Sequence, residues 1–168
     1  MTARPYKVLI LCTGNSARSI MGEYLLRLKG KGRFEAYSAG SRPTGTVNPL
    51  ALWVLKDRYD IDANDARSKS WDEFRDVRFD FVITVCDSAR ESCPVWPGSP
   101  VIAHWGSPDP ADFAGTEKER KWLFVQVASQ IARRIELFCA LPDAQLDQLR
   151  VREIGEQARI ESEPKPAA

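Results

Sequence analysis

Cys12, Arg18 and the five residues between them are the first group in this chain whose side chains suggest a reaction. In "CTGNSARS" the cysteine is followed by Thr13, Gly14, Asn15, Ser16 and Ala17, all small, and then by Arg18 and Ser19. Small residues let backbone N–H groups curl around an anion, and Gly14 and Asn15 tolerate the backbone angles such a nest requires. Arg18 offers a planar fork that matches two oxygens of a tetrahedral oxyanion. The same positive field acts on sulfur. An ordinary cysteine titrates near ~8.5, and a helix N-terminus beside an arginine is expected to draw Cys12 well below that, leaving mostly thiolate. Ser19 adds a hydroxyl hydrogen bond. C-x5-R-S is therefore the pattern of a nucleophile at the floor of an oxyanion cradle. A phosphate site without chemistry, or a merely buried cysteine in a strand-to-helix turn, shares that pattern.

The flanking sequence supplies the elements to hold this loop. "YKVLILC" (6–12) is an almost continuous apolar run, expected for a strand covered on both faces. Cys12 would end that strand, where ligands bind in open α/β sheets. The helix behind it, about 16–30, points its N-terminus at the anion and has apolar positions at Ile20, Tyr24, Leu25 and Leu28. "FEAYSAG" (34–40), "FDFVITVC" (79–86) and "PVIAHW" (100–105) supply three further strands. Asn48 and Pro49 open a second helix as N-cap and first residue. From Glu117 to Ala140 the apolar positions Phe124, Val127, Ala128, Ile131, Ile135 and Phe138 trace one helical face. Strands alternating with helices predict an α/β fold: a four-stranded parallel sheet, doubly wound, with helices on both faces.

Composition narrows the function. The chain of 168 residues is 43% hydrophobic and 28% charged, with a net charge of +1. Such a balance gives no electrostatic reason to expect nucleic acid or an acidic membrane. No apolar run approaches the roughly 18 residues a span needs, and the N-terminus has no signal-peptide cleavage pattern, so a cytoplasmic protein is expected. Four cysteines are too few for a disulfide framework at this length and are better considered as catalytic, redox-active or buried. There are no internal repeats. Residues 1–140 are expected to form the domain. Residues 141–168 form an extension outside the functional core, with a polar helix in 143–161 using Leu146, Leu149 and Ile154, and a disordered "ESEPKPAA" end.

"CTGNSARS" resembles the anion loop of low-molecular-weight protein tyrosine phosphatases and of the arsenate reductases built on the same fold. "HWGSPDPA" (104–111) is similar to the general-acid loop of that family, which makes Asp109, held by Pro110, the candidate acid. Asp112 is a nearby competitor. The likeness spans about residues 5–140. Phosphatases of this family place aromatic residues after the Asp-Pro pair to hold a phenyl ring, whereas this chain has "DPADF", which suits a small inorganic anion.

A cysteine pair spaced like Cys86 and Cys93 resembles the relay of the thioredoxin-coupled arsenate reductases. That resemblance implies attack of Cys12 on arsenate, a Cys12–Cys86 disulfide as arsenite leaves, and transfer to Cys86–Cys93. The external reductant would be thioredoxin, or glutaredoxin with glutathione. If residues 86–93 are helical, their ends lie about 10 Å apart at 1.5 Å per residue. A disulfide tolerates about 7 Å, so the segment has to unwind. The alternatives are a low-molecular-weight phosphatase, or an oxyanion or redox sensor without catalysis; a weak phosphatase side activity also fits the scaffold. Cys139 is expected to be packing, and His104 structural in its loop.

Two departures from the family stand out. Ala17 replaces a second loop cysteine found in many relatives. Some relatives also hold potassium through a loop Asn, a helix Glu and two oxygen-bearing residues. Asn15 and Glu23 match, but Arg67 and Lys69 fall where the oxygens belong, so no metal is expected and Lys69 would supply the charge near Glu23.

Overall fold

A computed structural model describes residues 4–156. The strands are β1 (Tyr6–Cys12), β2 (Phe34–Gly40), β3 (Phe81–Thr84) and β4 (Val101–His104). They form one parallel sheet in the order β2-β1-β3-β4. The helices are α1 (Arg18–Gly30), α2 (Pro49–Tyr59), α3 (Asp87–Ser92), α4 (Glu117–Cys139) and α5 (Gln148–Glu156). This is the α/β architecture expected from the alternation of elements.

Local chemistry accounts for the boundaries. Asn48 caps α2 by accepting from Leu50 N, with Pro49 at the first position, and Asp60 ends the helix in the left-handed region. Thr116 and Glu119 form a capping box at the start of α4. α1 has no side-chain cap, because Ala17 holds the N-cap position. Its first-turn N–H groups are left for another acceptor.

Period-two alternation sends Phe34, Phe81 and Trp105 to one face, where their rings pack against Phe138 of α4. α1 lies on this face too; a Cβ on Gly22 would sit 3.0 Å from Ile10. Full burial of a ring such as Phe138 contributes roughly 1.5–3 kcal/mol. On the opposite face Tyr37, Phe74, Phe79 and Trp96 form a second ring cluster. His104 points to that side and reaches Asp87 at the start of α3. Leu28, expected on the buried stripe of α1, is 47% exposed. α1 buries Ser19 to Leu26 without a break; Leu28 faces solvent, while Gly30 is buried again against Phe34 of β2.

The expected division at residue 140 is crossed by close contacts. α5 lies along β4, with Val151 and Ile154 buried and Trp105 Nε1 donating to Val151 O at 2.9 Å. The "ESEPKPAA" end and the last residues of the expected helix fall outside the described residues. No helix among the described residues is long and apolar enough to cross a membrane.

Candidate functional site

Parallel register brings the chemistry to one sheet end. Cys12 pairs with Gly40, Leu11 with Thr84, and Thr84 with His104, so all four strands finish together. Gly40 permits the loop's closeness: a Cβ there would lie 2.4 Å from Thr13 O. The carbonyls of Thr13, Gly14 and Ser16 accept from the amides of Arg42, Thr44 and Asn48 at 2.9–3.0 Å, and Ser68 Oγ also donates to Gly14 O. In a planar trans peptide the N–H opposes the carbonyl, so carbonyls tied outward turn the following amides inward. Asn15 N demonstrates this, donating to Cys12 Sγ at 3.1 Å. Asn15 itself is fully buried with φ of 46°, the left-handed conformation that asparagine tolerates.

A polar chain runs from the buried Glu23 to the thiol. Ser38 Oγ donates to Glu23 Oε1 at 2.9 Å and accepts from Asn15 Nδ2 at 3.0 Å. Asn15 Nδ2 also donates to Ser19 Oγ at 2.7 Å, which leaves the Ser19 proton for Cys12 Sγ, 2.8 Å away. Asn15 Oδ1 accepts from Lys69 N at 2.9 Å. The Lys69 ammonium lies 3.5 Å from Glu23 Oε1, 3.2 Å from Ser38 Oγ and 3.1 Å from Arg67 O. Burial pulls the Lys69 pKa down, against the Glu23 charge that holds it up. Among the described residues, no three His, Cys, Asp or Glu side chains gather as a metal site.

Cys12 departs from the sequence expectation. Burial pushes its thiol up, and this outweighs the Ser19 hydroxyl, Arg18 and the Asn15 and Ser19 amides, which all pull it down. Every stabilising group expected from the sequence is present. What the sequence did not reveal is that Cys12 is only 3% exposed.

Arg18 sits where α1 begins. Its Nη1 donates to Ser107 O at 2.9 Å and Val85 O at 3.4 Å, and its Nη2 pairs with Asp109 Oδ2 at 3.2 Å. Asp109 Oδ1 accepts from Ala111 N, which fixes the turn at Pro110. Asp112 is exposed. Cys86, 8% exposed, is the N-cap of α3 and lies 3.3 Å from Thr13 Oγ1 of the loop. Cys93 closes the same six-residue helix, half-buried, with its thiol raised by burial against a pull from Trp96. All four cysteines are free. The structure thus gathers Cys12, Arg18, Asp109 and Cys86, and holds Cys93 at the far end of α3. A cavity of about 350 Å³ opens beside Arg18 and Cys86.

The family model for low molecular weight phosphotyrosine protein phosphatases matches residues 7–151. The chain belongs to that family. Over 132 residues, 78% of this chain and 93% of the relative, it is 38% identical to an arsenate reductase of Oceanobacillus iheyensis. The crystal structure of arsenate reductase from Archaeoglobus fulgidus aligns with a TM-score of 0.65 at 27% identity, covering 80% of this chain and 99% of that one. A thioredoxin-dependent arsenate reductase of Corynebacterium glutamicum aligns at 0.60 and 26%, covering 80% of this chain and 60% of the other.

Within this low-molecular-weight phosphatase fold, sequence reasoning missed Ser38 and Ser107. Ser38 had a visible signal: it shares the inward alternation of Phe34 and Ala36, so it is a polar residue on an apolar stripe. Ser107 had none, because it contributes its carbonyl to Arg18.

Proposed function

We propose that this protein reduces arsenate to arsenite. Cys12 would attack arsenic while the inward amides and Arg18 hold the oxygens. Thiol plus monohydrogen arsenate gives a Cys12 thioarsenate ester and water, so the step balances from a protonated thiol. Asp109, beside Arg18, is the acid that relays the thiol's proton to the departing oxygen, which leaves as water. Cys86 then attacks Cys12 sulfur. The S–As bond breaks, its electron pair stays on arsenic, and arsenite leaves as the Cys12–Cys86 disulfide forms. Cys93 attacks Cys86 sulfur and frees the Cys12 thiol. A dithiol, thioredoxin in this reading, reduces Cys86–Cys93.

The observation that carries the reading is the second thiol at the loop, Cys86 Sγ 3.3 Å from Thr13 Oγ1. Phosphate transfer needs one cysteine; arsenic reduction needs another within reach of the first. The test is NADPH oxidation by thioredoxin reductase and thioredoxin with this protein, beside its Cys93→Ser variant and an aryl-phosphate assay. Arsenate-dependent turnover that disappears in the variant is expected. Turnover only with glutaredoxin and glutathione would change the partner. Aryl-phosphate hydrolysis without arsenate turnover by either route would make the protein a phosphatase.

A further inference from the structure

The segment from His104 to Asp109 leaves β4 and carries the proposed acid, and α5 grips it from outside. Trp105 Nε1 donates to Val151 O at 2.9 Å. Arg134 of α4, 1% exposed, donates through Nη2 to Gly155 O at 3.0 Å and through Nη1 to Gly106 O at 2.8 Å, and reaches Ser107 Oγ at 3.4 Å. Arg18 takes Ser107 O from the other side. Ser107, two residues before Asp109, is thereby held between two guanidinium groups. Gly155 is what lets α5 come so close: a Cβ there would stand 2.2 Å from His104 O and 3.0 Å from Trp105 Cδ1. It lies beyond residue 151, where the family match ends, yet it lines the same cavity as Arg18 and Cys86.

We propose that α5 is a buttress for the acid loop, with Arg134 and Gly155 as positioning residues for Asp109; this rests on the assignment of Asp109 as the acid. Proton transfer needs hydrogen-bond reach, and a displacement of about 1 Å can lower a rate about a hundredfold. The loop is irregular backbone anchored at one end by β4. α5 backs its first residues, His104 and Trp105, and through Arg134 its next, Gly106 and Ser107; α5 is secured by its own buried Val151 and Ile154.

Amide exchange and turnover of the full-length Gly155→Ala variant test this, with Trp105→Phe as a milder probe should the first fold poorly. The Trp105 and Ser107 amides donate to Thr84 O and Val85 O and report on the loop. Their exchange is expected to quicken roughly tenfold while β1 amides stay unchanged. The arsenate kcat should fall about tenfold with KM within twofold. Gly155→Ala added to Asp109→Asn should slow the enzyme no further, because both act through one group. The exposed Glu153→Ala change on α5 should alter neither readout. Unchanged exchange overturns the buttress, and multiplying losses overturn the route through Asp109. If Asp109→Asn is as fast as the parent protein, the acid assignment fails and takes the positioning role with it, even where exchange shows α5 holding the loop.

Discussion

The cradle loop and α3 both carry cysteines, and they are built in opposite ways. In the loop, Asn15 is fully buried, three carbonyls are tied outward, and Gly40 packs backbone on backbone. In α3 only Ala89 is buried, no side chain caps the N-terminus, and the helix ends at Cys93-Pro94. The difference follows the proposed chemistry. Charge developing on an oxyanion is stabilised best by dipoles already in place, so the first step calls for a rigid loop. A thiol at the far end of a helical turn reaches its partner only if the helix melts, so the last transfer calls for an element of low local stability.

The sharpest way to break the contrast is at the proposed acid, which serves the rigid side. Asp109→Asn should lower arsenate turnover by roughly 10²–10⁴-fold while anion affinity is retained, as followed by steady-state kinetics and arsenate or phosphate binding. A sensor without catalysis would keep its redox response unchanged. Next in size is the rigidity itself. Lys69→Met leaves Glu23, 5% exposed at its side chain, with the half-exposed Arg27 and the Ser38 hydroxyl but without its buried cation, and removing one partner of a buried pair costs about 3 kcal/mol. Denaturant unfolding should show that loss, together with faster exchange at the Asn15 amide.

On the α3 side the effect is smaller. Ser88 and Ser92 are exposed in α3, and replacing both with alanine adds about 1 kcal/mol of helix preference. Transfer from Cys12–Cys86 to Cys86–Cys93 should then slow roughly fivefold in stopped-flow quench experiments, with the first step untouched. Equal slowing of both steps would mean that α3 does not need to open.

The smallest effect concerns His104, which ties α3 to the sheet: its Nε2 donates to Asp87 Oδ1 at 3.0 Å, and its Nδ1 lies 2.8 Å from Thr84 Oγ1. Burial lowers its pKa below the ordinary 6.5, with Arg90 adding to the shift and Asp87 opposing it. The unfolded chain therefore binds this proton more readily, and stability should decline as pH falls below about 6.5. His104 is the only histidine, so His104→Gln should flatten the dependence in the window above the carboxylate range. A slope unchanged in that variant would assign it elsewhere.

The cradle was legible because it is local: seven consecutive residues after an apolar strand specify its shape. The Lys69–Glu23 contact was legible from charge at matched positions, and the structure places those groups 3.5 Å apart. The Cys12 thiol was misjudged because depth of burial depends on the assembled sheet, not on neighbours in sequence. α5 was undervalued for a similar reason. Its composition is polar, and the meaning of Gly155 emerges only where its missing side chain meets His104 O.

A single turnover without external reductant tests the relay most directly. One equivalent of arsenate is added to fully reduced protein, thiols are quenched with an alkylating agent, and the disulfides are mapped by mass spectrometry alongside the arsenite released. About one arsenite per chain is expected, with Cys86–Cys93 in the parent protein and Cys12–Cys86 trapped in Cys93→Ser. Arsenite release with Cys86 still alkylated, or no arsenite with Cys12, Cys86 and Cys93 all intact, would contradict the relay.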